Sequence, residues 1–336
     1  MSTAFDGTSG GPRLAVADIF NSAVAAWAIG AAWELGALDE LHAARKLDAA
    51  EFADRHGLDP AATAGMFRAL AAVGAVERDG SCVTASGTFD EVFRTRSFFH
   101  WLSRGSAELF RAMPSIMRRE NRVGDFYTRD PAAIAFACRE ISEVTYEPVF
   151  RAVLNGVDPG SGAIADLGCG GGGRLLEMLE RFPGTRGVGV DIARPALDSA
   201  RRRLDEAGLG GRVDLVEADV RALEPRPEFA AVDVVTCFMM GHDLWPRARC
   251  AAALRRLREV FPAASRLLLG DATSTRAVPD AALPVFTLGF ELGHDLMGAY
   301  VPTVAEWESV FADGGWRLLR THRIDAVVGE VIFELG

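Results

Sequence analysis

The sequence has no excess of positive charge: 36 Lys and Arg stand against 46 Asp and Glu over 336 residues, a net charge of −10. So acidic a chain lacks the basic field that draws phosphate backbones or anionic lipid, which argues against nucleic acid and membrane surfaces as partners. Cysteine pairing is also missing. The five cysteines, Cys82, Cys138, Cys169, Cys237 and Cys250, are odd in number and widely spaced, without a CxxC, so no zinc ribbon or redox motif is expected. No basic stretch followed by an apolar core opens the sequence, so no secretory signal is visible and a cytoplasmic location is expected. The most apolar early run, residues 23–33, spans only about half a bilayer and is flanked by Asp18, Asn21 and Glu34; it reads as a buried helix. What is present is a composition 49% hydrophobic and 24% charged, enough to bury sizeable cores, in a chain longer than one ordinary domain.

Residues 13–92 carry helical periodicity over 16–38, 48–56 and 61–73, then two short strand-like runs around Asp79-Gly80. This is the pattern of a winged helix. Its would-be recognition helix, 61–73, has one basic residue, Arg68, where contacts to DNA need several, so DNA binding is not the expected role. Residues 93–155 are helical with aromatic bulk and read as a linker or lid. Within them Asp130-Pro131 marks a helix start, placing Arg129 on the loop before it. From 156 to 336 strands alternate with helices: 163–167, 187–190, 213–217, 232–238, 266–270, 316–321 and 326–333 are expected strands. Helices are expected near 172–182, 195–207, 247–261 and 304–313. That alternation predicts an α/β fold whose mostly parallel, doubly wound sheet binds ligands at the carboxyl ends of its strands.

Asp166-Leu167-Gly168-Cys169-Gly170-Gly171-Gly172-Gly173 lies between the first of these strands and its helix, where glycines let a ligand approach the backbone. Asp191 ends the second strand 21 residues beyond Gly170, and Asp219-Val220 follow the third. A carboxylate after the second strand can accept both ribose hydroxyls, and one after the third can reach an adenine edge. NAD and S-adenosylmethionine both fit such an acid. The D-x-G-x-G head resembles class I S-adenosylmethionine-dependent methyltransferases, whose cofactor would be surrounded by Asp166, Gly168, Gly170, Asp191, Asp219, Val220 and Phe238. The closing stretch TVAEWESVFADGGW, 303–316, is similar to the tail of small-molecule O-methyltransferases. The fold implied is a Rossmann-like methyltransferase domain preceded by a mainly helical winged-helix domain that serves homodimerisation.

In those O-methyltransferases a His-Asp before a Trp follows the fourth strand, and the His acts as base toward a phenol; here the stretch is Met239-Met240-Gly241-His242-Asp243-Leu244-Trp245. The tetrapeptide then recurs as Gly293-His294-Asp295-Leu296, in a chain with only six histidines. Two imidazoles from separate elements are common ligands of a catalytic transition metal with open positions for substrate. With the lid run FHWLSRGS, and with FMMGHD and LPVFTLGFELGHDLMG, the chain from Ala15 to Leu335 resembles the metal-dependent 2-oxo acid C-methyltransferases of peptide-antibiotic pathways, of the phenylpyruvate C3-methyltransferase type. The resemblance implies a transition metal, iron, on His242 and His294, and a substrate pocket of Trp101, Ser106, Arg129, Met239 and Asp243. Two alternatives remain at this level: a metal-independent O-methyltransferase using His242 as base, and an acidic winged-helix regulator that senses S-adenosylmethionine.

Overall fold

The computed structural model describes residues 15–160, 162–279, 283, 285–324 and 329–336. They cluster into two compact units, one from the N-terminus to Ala107 plus Arg129–Ala137, the other Glu108–Thr128 plus Cys138–Gly336. The linker expected over 93–155 is thus shared between them.

In the first unit, α1 (Ala15–Glu34) and α2 (Ala37–Ala44) lead to β1 (Lys46–Asp48), α3 (Ala49–Arg55), α4 (Pro60–Ala72), β2 (Val76–Asp79) and β3 (Cys82–Ala85). Local chemistry sets these ends. The Asp48 carboxylate accepts the backbone N–H groups of Ala50 and Glu51 at the start of α3, and Asp59 before Pro60 accepts that of Ala62. β2 and β3 fold back at Gly80, whose φ of +60° suits the tight hairpin, and pair in the order β1-β3-β2. The core of this winged helix is Leu38, Leu41, Phe52, Phe67, Leu70, Val83 and Phe89.

Helix α1 departs from the fully buried helix expected over 23–33. It buries Ala25, Ile29, Ala32 and Trp33, the last edge-on to His100, yet Val16, Ile19, Phe20 and Trp27 on its other flank are 54–74% exposed. It ends at Glu34, short of the 38 expected from periodicity, and Val16–Glu34 is long and apolar enough, by length and composition alone, to cross a membrane. Short helices α5 (Phe89–Arg94) and α6 (Arg96–His100) run into a single π-helical turn, Trp101–Gly105; α7 (Ala107–Arg111) and α8 (Met113–Ile116) follow. Asp130 caps α9 (Pro131–Leu154) by accepting the N–H groups of Ala132 and Ala133, as its Asp-Pro start predicts.

The second unit is built on β4 (Ala163–Leu167), β5 (Arg186–Asp191), β6 (Val213–Glu217), β7 (Val232–Phe238), β8 (Arg266–Ala272), β9 (Leu318–Arg323) and β10 (Glu330–Leu335), in the order β6-β5-β4-β7-β8-β10-β9. The first five strands are parallel; β10 enters antiparallel between β8 and β9. Helices α10 (Gly173–Arg181), α11 (Arg194–Glu206), α12 (Arg247–Val260), α13 (Thr287–Met297) and α14 (Val304–Phe311) accompany them. One sheet face packs Leu167, Val235, Leu269 and Val331 against Leu254, Trp307 and Phe311; the other packs Ile164, Val234, Leu268 and Ile332 against Tyr146, Phe150, Leu175 and Leu179. Burial on both faces explains the predominantly apolar sequences of β4, β7 and β8. The strand expected at 326–333 begins at Glu330, and residues 325–328 lie outside the described residues.

Candidate active site

The loop after β4 turns through left-handed backbone at Gly168 (φ +68°) and Gly170 (φ +50°), where any side chain would be strained. A Cβ at Gly168 would stand 2.6 Å from the Met240 sulfur, so a side chain there would push the Met240 side chain aside. Asp191 is fixed at the end of β5: one carboxylate oxygen accepts the Gly170 N–H at 2.9 Å and the other the Ala193 N–H at 2.8 Å. Asp166 is wholly buried and accepts the Thr236 hydroxyl at 2.7 Å, and burial pushes its carboxyl above the ordinary range. Asp219 accepts its own loop's Arg221 N–H and is gripped by the Arg221 guanidinium, whose hydrogen bonds hold the carboxyl below its usual value. Val220 and Phe238 are buried, the latter ending β7. Cys169, inside the loop, has its thiol pushed far up by burial, which keeps it protonated at neutral pH.

His242 sits on the turn that follows β7 and His294 in the last turns of α13, and both are buried. Their ring centroids are 4.9 Å apart with planes at 87°. The Nδ1 of His242 donates to Asp271 Oδ1 at 2.8 Å, while its backbone N–H donates to Asp271 Oδ2 at 2.5 Å. Gly241 permits this: a Cβ there would lie 2.7 Å from that carboxylate. The Nδ1 of His294 donates to the Phe290 carbonyl at 2.7 Å, and the Phe290 ring packs on both imidazoles. Arg122 steadies the end of α13 by donating to the Leu296 and Asp295 carbonyls at 3.0 and 3.1 Å. Met239 (φ +57°) and Phe286 (φ +76°), two non-glycine residues in left-handed backbone, flank the pair in sequence; such strain collects at functional sites.

An imidazole anchored through Nδ1 on a carboxylate or a backbone carbonyl is oriented as a metal-ligating histidine is, so coordination here would fall to the two Nε2 atoms. Among the described residues no group of three or more His, Cys, Asp or Glu forms a metal cage. The donor set therefore fits a transition metal only if substrate oxygens and water complete the sphere.

The structure brings His242, His294 and Met239 to one end of the sheet, and adds Asp271, which sequence reasoning missed. Its signal was present: an acid directly after the apolar run Leu267–Gly270, as Asp166 follows Ala163–Ala165, but the strand is expected to stop at Gly270. Asp243 is exposed, and the charge it adds is felt by Arg221, so the carboxylate touching His242 is Asp271. Trp101, Ser106 and Arg129 belong to the first unit. Trp101 opens the π-turn and Ser106 follows it, both buried, the Ser106 hydroxyl without a hydrogen-bond partner, and Arg129 is half-buried on the loop before α9.

Residues 164–262 match a family model described as a methyltransferase domain. The chain is 48% identical over 332 residues to methyltransferase ungE' of Aspergillus campestris, covering 96% of this chain and 97% of that one. It is 30% identical over 263 residues to the indolepyruvate C-methyltransferase of Streptomyces griseus, covering 75% and 74%. Its fold is similar to the solved mitomycin 7-O-methyltransferase MmcR, with a TM-score of 0.70 at 23% identity, covering 95% and 96%. With the glycine loop and its following acids in place, the chain belongs to the S-adenosylmethionine-dependent class I methyltransferases.

Proposed function

We propose that this enzyme transfers the methyl group of S-adenosylmethionine to C3 of a 2-oxo acid, phenylpyruvate or a branched analogue, within secondary-metabolite biosynthesis. The observation that carries the reading is the buried pair of imidazoles, each fixed through Nδ1. A phenol O-methyltransferase needs one such histidine and leaves His294 unexplained. The relatives named indolepyruvate C-methyltransferase and 2-ketoarginine methyltransferase support the choice of acceptor.

A C3 proton beside a ketone is too weakly acidic to leave unaided, so the site must stabilise negative charge on the keto oxygen. A transition metal held by His242 and His294, iron by the family resemblance, would supply Lewis acidity there. The protein's part is orientation. Asp271 keeps the His242 proton on Nδ1 and its Nε2 unprotonated, and the Phe290 carbonyl does the same for His294. Asp243 is assigned the C3 proton; C3 then bonds to the methyl carbon as the carbon–sulfur bond breaks, leaving S-adenosylhomocysteine. Arg129 is assigned the substrate carboxylate, because a guanidinium offers a planar fork matched to it. Trp101, Ser106 and Met239 are assigned substrate contacts, Ser106 because its buried hydroxyl lacks a partner.

A second reading, O-methylation with His242 as base, is favoured by the His242–Asp271 bond, which also readies an imidazole for proton abstraction. His294→Ala separates the two. The first reading expects methylation to be lost with S-adenosylmethionine affinity intact and chelator to inactivate the wild type; the second expects activity to survive both.

A homodimer through α1 is also proposed. Its exposed flank adjoins an apolar groove of about 510 Å³ lined by Val24, Trp27, Leu35, Leu58 and Met66, an apolar face that a second copy would take out of water. Sedimentation as a monomer at micromolar concentration would contradict it.

A further inference from the structure

Glu330 opens β10 opposite Ala272, the neighbour of the Asp271 that holds His242. Ile332, two residues along the same strand, packs in the cluster that contains Tyr146 of α9, so Glu330 shares that face of the sheet. Tyr146 in turn stands edge-on to Phe238, the last residue of β7, with ring centres 5.7 Å apart, and Met239 packs on the same cluster. The two side chains therefore lie at the carboxyl ends of β7 and β8, the end at which sheets of this kind bind their ligands. Glu330 is 1% exposed and Tyr146 wholly buried, and among the described residues neither carboxyl oxygen has a hydrogen-bond partner, nor does the phenol oxygen. The Thr145 hydroxyl beside Glu330 is spent on the Ile141 carbonyl at 2.7 Å. Buried polar groups are costly to leave unused, so a bound molecule is the natural source of what they lack.

The protonation states identify what is lacking. Burial, with the charge of Asp271 adding to it, pushes the Glu330 carboxyl up to about 8 and the Tyr146 hydroxyl well above its usual value. Both keep their protons at neutral pH and offer two O–H donors in search of one acceptor; a buried carboxylic acid kept neutral in this way can donate to an enolate. We propose that the Glu330 carboxyl and the Tyr146 phenol donate together to the keto oxygen of the 2-oxo acid. As the C3–H bond breaks, its electron pair forms the C2–C3 double bond and charge moves onto that oxygen, where the two donors hold it without giving up their protons. When C3 takes the methyl group, the charge returns to restore the carbonyl. An enolate oxygen has three lone pairs, so two hydrogen bonds still leave one for a Lewis acid. The assignment rests on the C-methylation reading and adds to it the residues that stabilise the enolate.

The test follows, by NMR in D2O, exchange of the C3 protons of phenylpyruvate above the buffer rate, with S-adenosylhomocysteine in place of the methyl donor. Tyr146→Phe and Glu330→Leu are each expected to slow exchange on the order of 100-fold, the scale of one lost oxyanion donor, and to leave S-adenosylhomocysteine affinity unchanged by calorimetry. Glu330→Gln keeps a neutral donor in place and is expected to stay within about tenfold of wild type. Loss in neither Tyr146→Phe nor Glu330→Leu, or in one alone, would show a structural pair and overturn the proposal. A Glu330→Gln loss as deep as that of Glu330→Leu would make Glu330 a base and overturn it too. Should Glu330→Leu not fold, Tyr146→Phe and Glu330→Gln decide: loss in the first with retention in the second supports the assignment, and any other pattern overturns it. A wild type that gives no exchange above buffer would instead defeat the C-methylation reading itself, and this assignment with it.

Discussion

Replacing Asp271 by Asn changes two atoms' hydrogen-bonding character and almost no volume, which makes it a sharp probe of the histidine pair. One carboxylate oxygen accepts from His242 Nδ1 at 2.8 Å and from the Ala272 N–H at 2.9 Å; the other accepts the His242 N–H at 2.5 Å. An amide has one acceptor where the carboxylate has two. If its NH2 takes the first position, Nδ1 must become an acceptor, the imidazole proton moves to Nε2, the nitrogen the chemistry needs bare, and the Ala272 N–H also loses its acceptor. If it takes the second, it faces the His242 N–H donor to donor, in a place where the side chain is fully buried. The first outcome should cost 10–100-fold in turnover, the usual scale for the group behind a working imidazole, or about 1.4–2.7 kcal/mol. The second should cost about 1–3 kcal/mol of stability. S-adenosylmethionine affinity should not move, since the Asp271 carboxylate bonds to His242 and not to the glycine loop. Steady-state kinetics, cofactor calorimetry and thermal unfolding on one preparation read all three. A folded Asp271→Asn enzyme with wild-type stability and turnover within about threefold of wild type would refute the reasoning.

Asp191→Ala removes a carboxylate expected to accept two ribose hydroxyls and should weaken S-adenosylmethionine on the order of 10–100-fold by calorimetry; unchanged affinity would remove Asp191 from the cofactor site. Arg129→Leu should raise KM or lower turnover toward 2-oxo acids, and kinetics matching wild type would return Arg129 to the status of a loop charge. Glu330, buried beside Tyr146 on α9, has its carboxyl pushed up to about 8, first by burial and further by the charge of Asp271. The native state then holds a proton that the unfolded chain releases near 4.5, so stability falls as pH climbs from there to about 8. Glu330→Gln keeps the neutral form and should lose that decline, gaining on the wild type up to several kcal/mol by pH 8 in denaturant titrations; parallel stability curves would contradict it.

The glycine loop, its acids and all five parallel strands were legible because backbone conformation and two-sided burial leave direct marks on sequence. β8 runs two residues past its expected end, through Asp271, since an acid in an apolar strand looks like a stop until its partner is known. β9 starts at Leu318 rather than 316 because Trp316 turns inward, its indole donating to the Leu254 carbonyl at 3.0 Å. Helix α13 was not foreseen. With Gly289 and Gly293 inside it and no side-chain N-cap, its sequence carries little helical signal, and its C-terminal end is held by Arg122 from far along the chain. Tyr146 and Glu330 lie far apart in the chain, so only tertiary packing reveals them as neighbours. The second histidine, by contrast, was found from a repeated tetrapeptide alone.

The central claim is that carbon, not oxygen, receives the methyl group. The direct measurement is NMR of the product formed by the purified enzyme from phenylpyruvate and S-adenosylmethionine labelled with carbon-13 in its methyl group. The account predicts a labelled methyl bonded to C3 and split by the single remaining C3 proton. A labelled methyl on oxygen, or none transferred to any 2-oxo acid while a phenol is methylated, would contradict it.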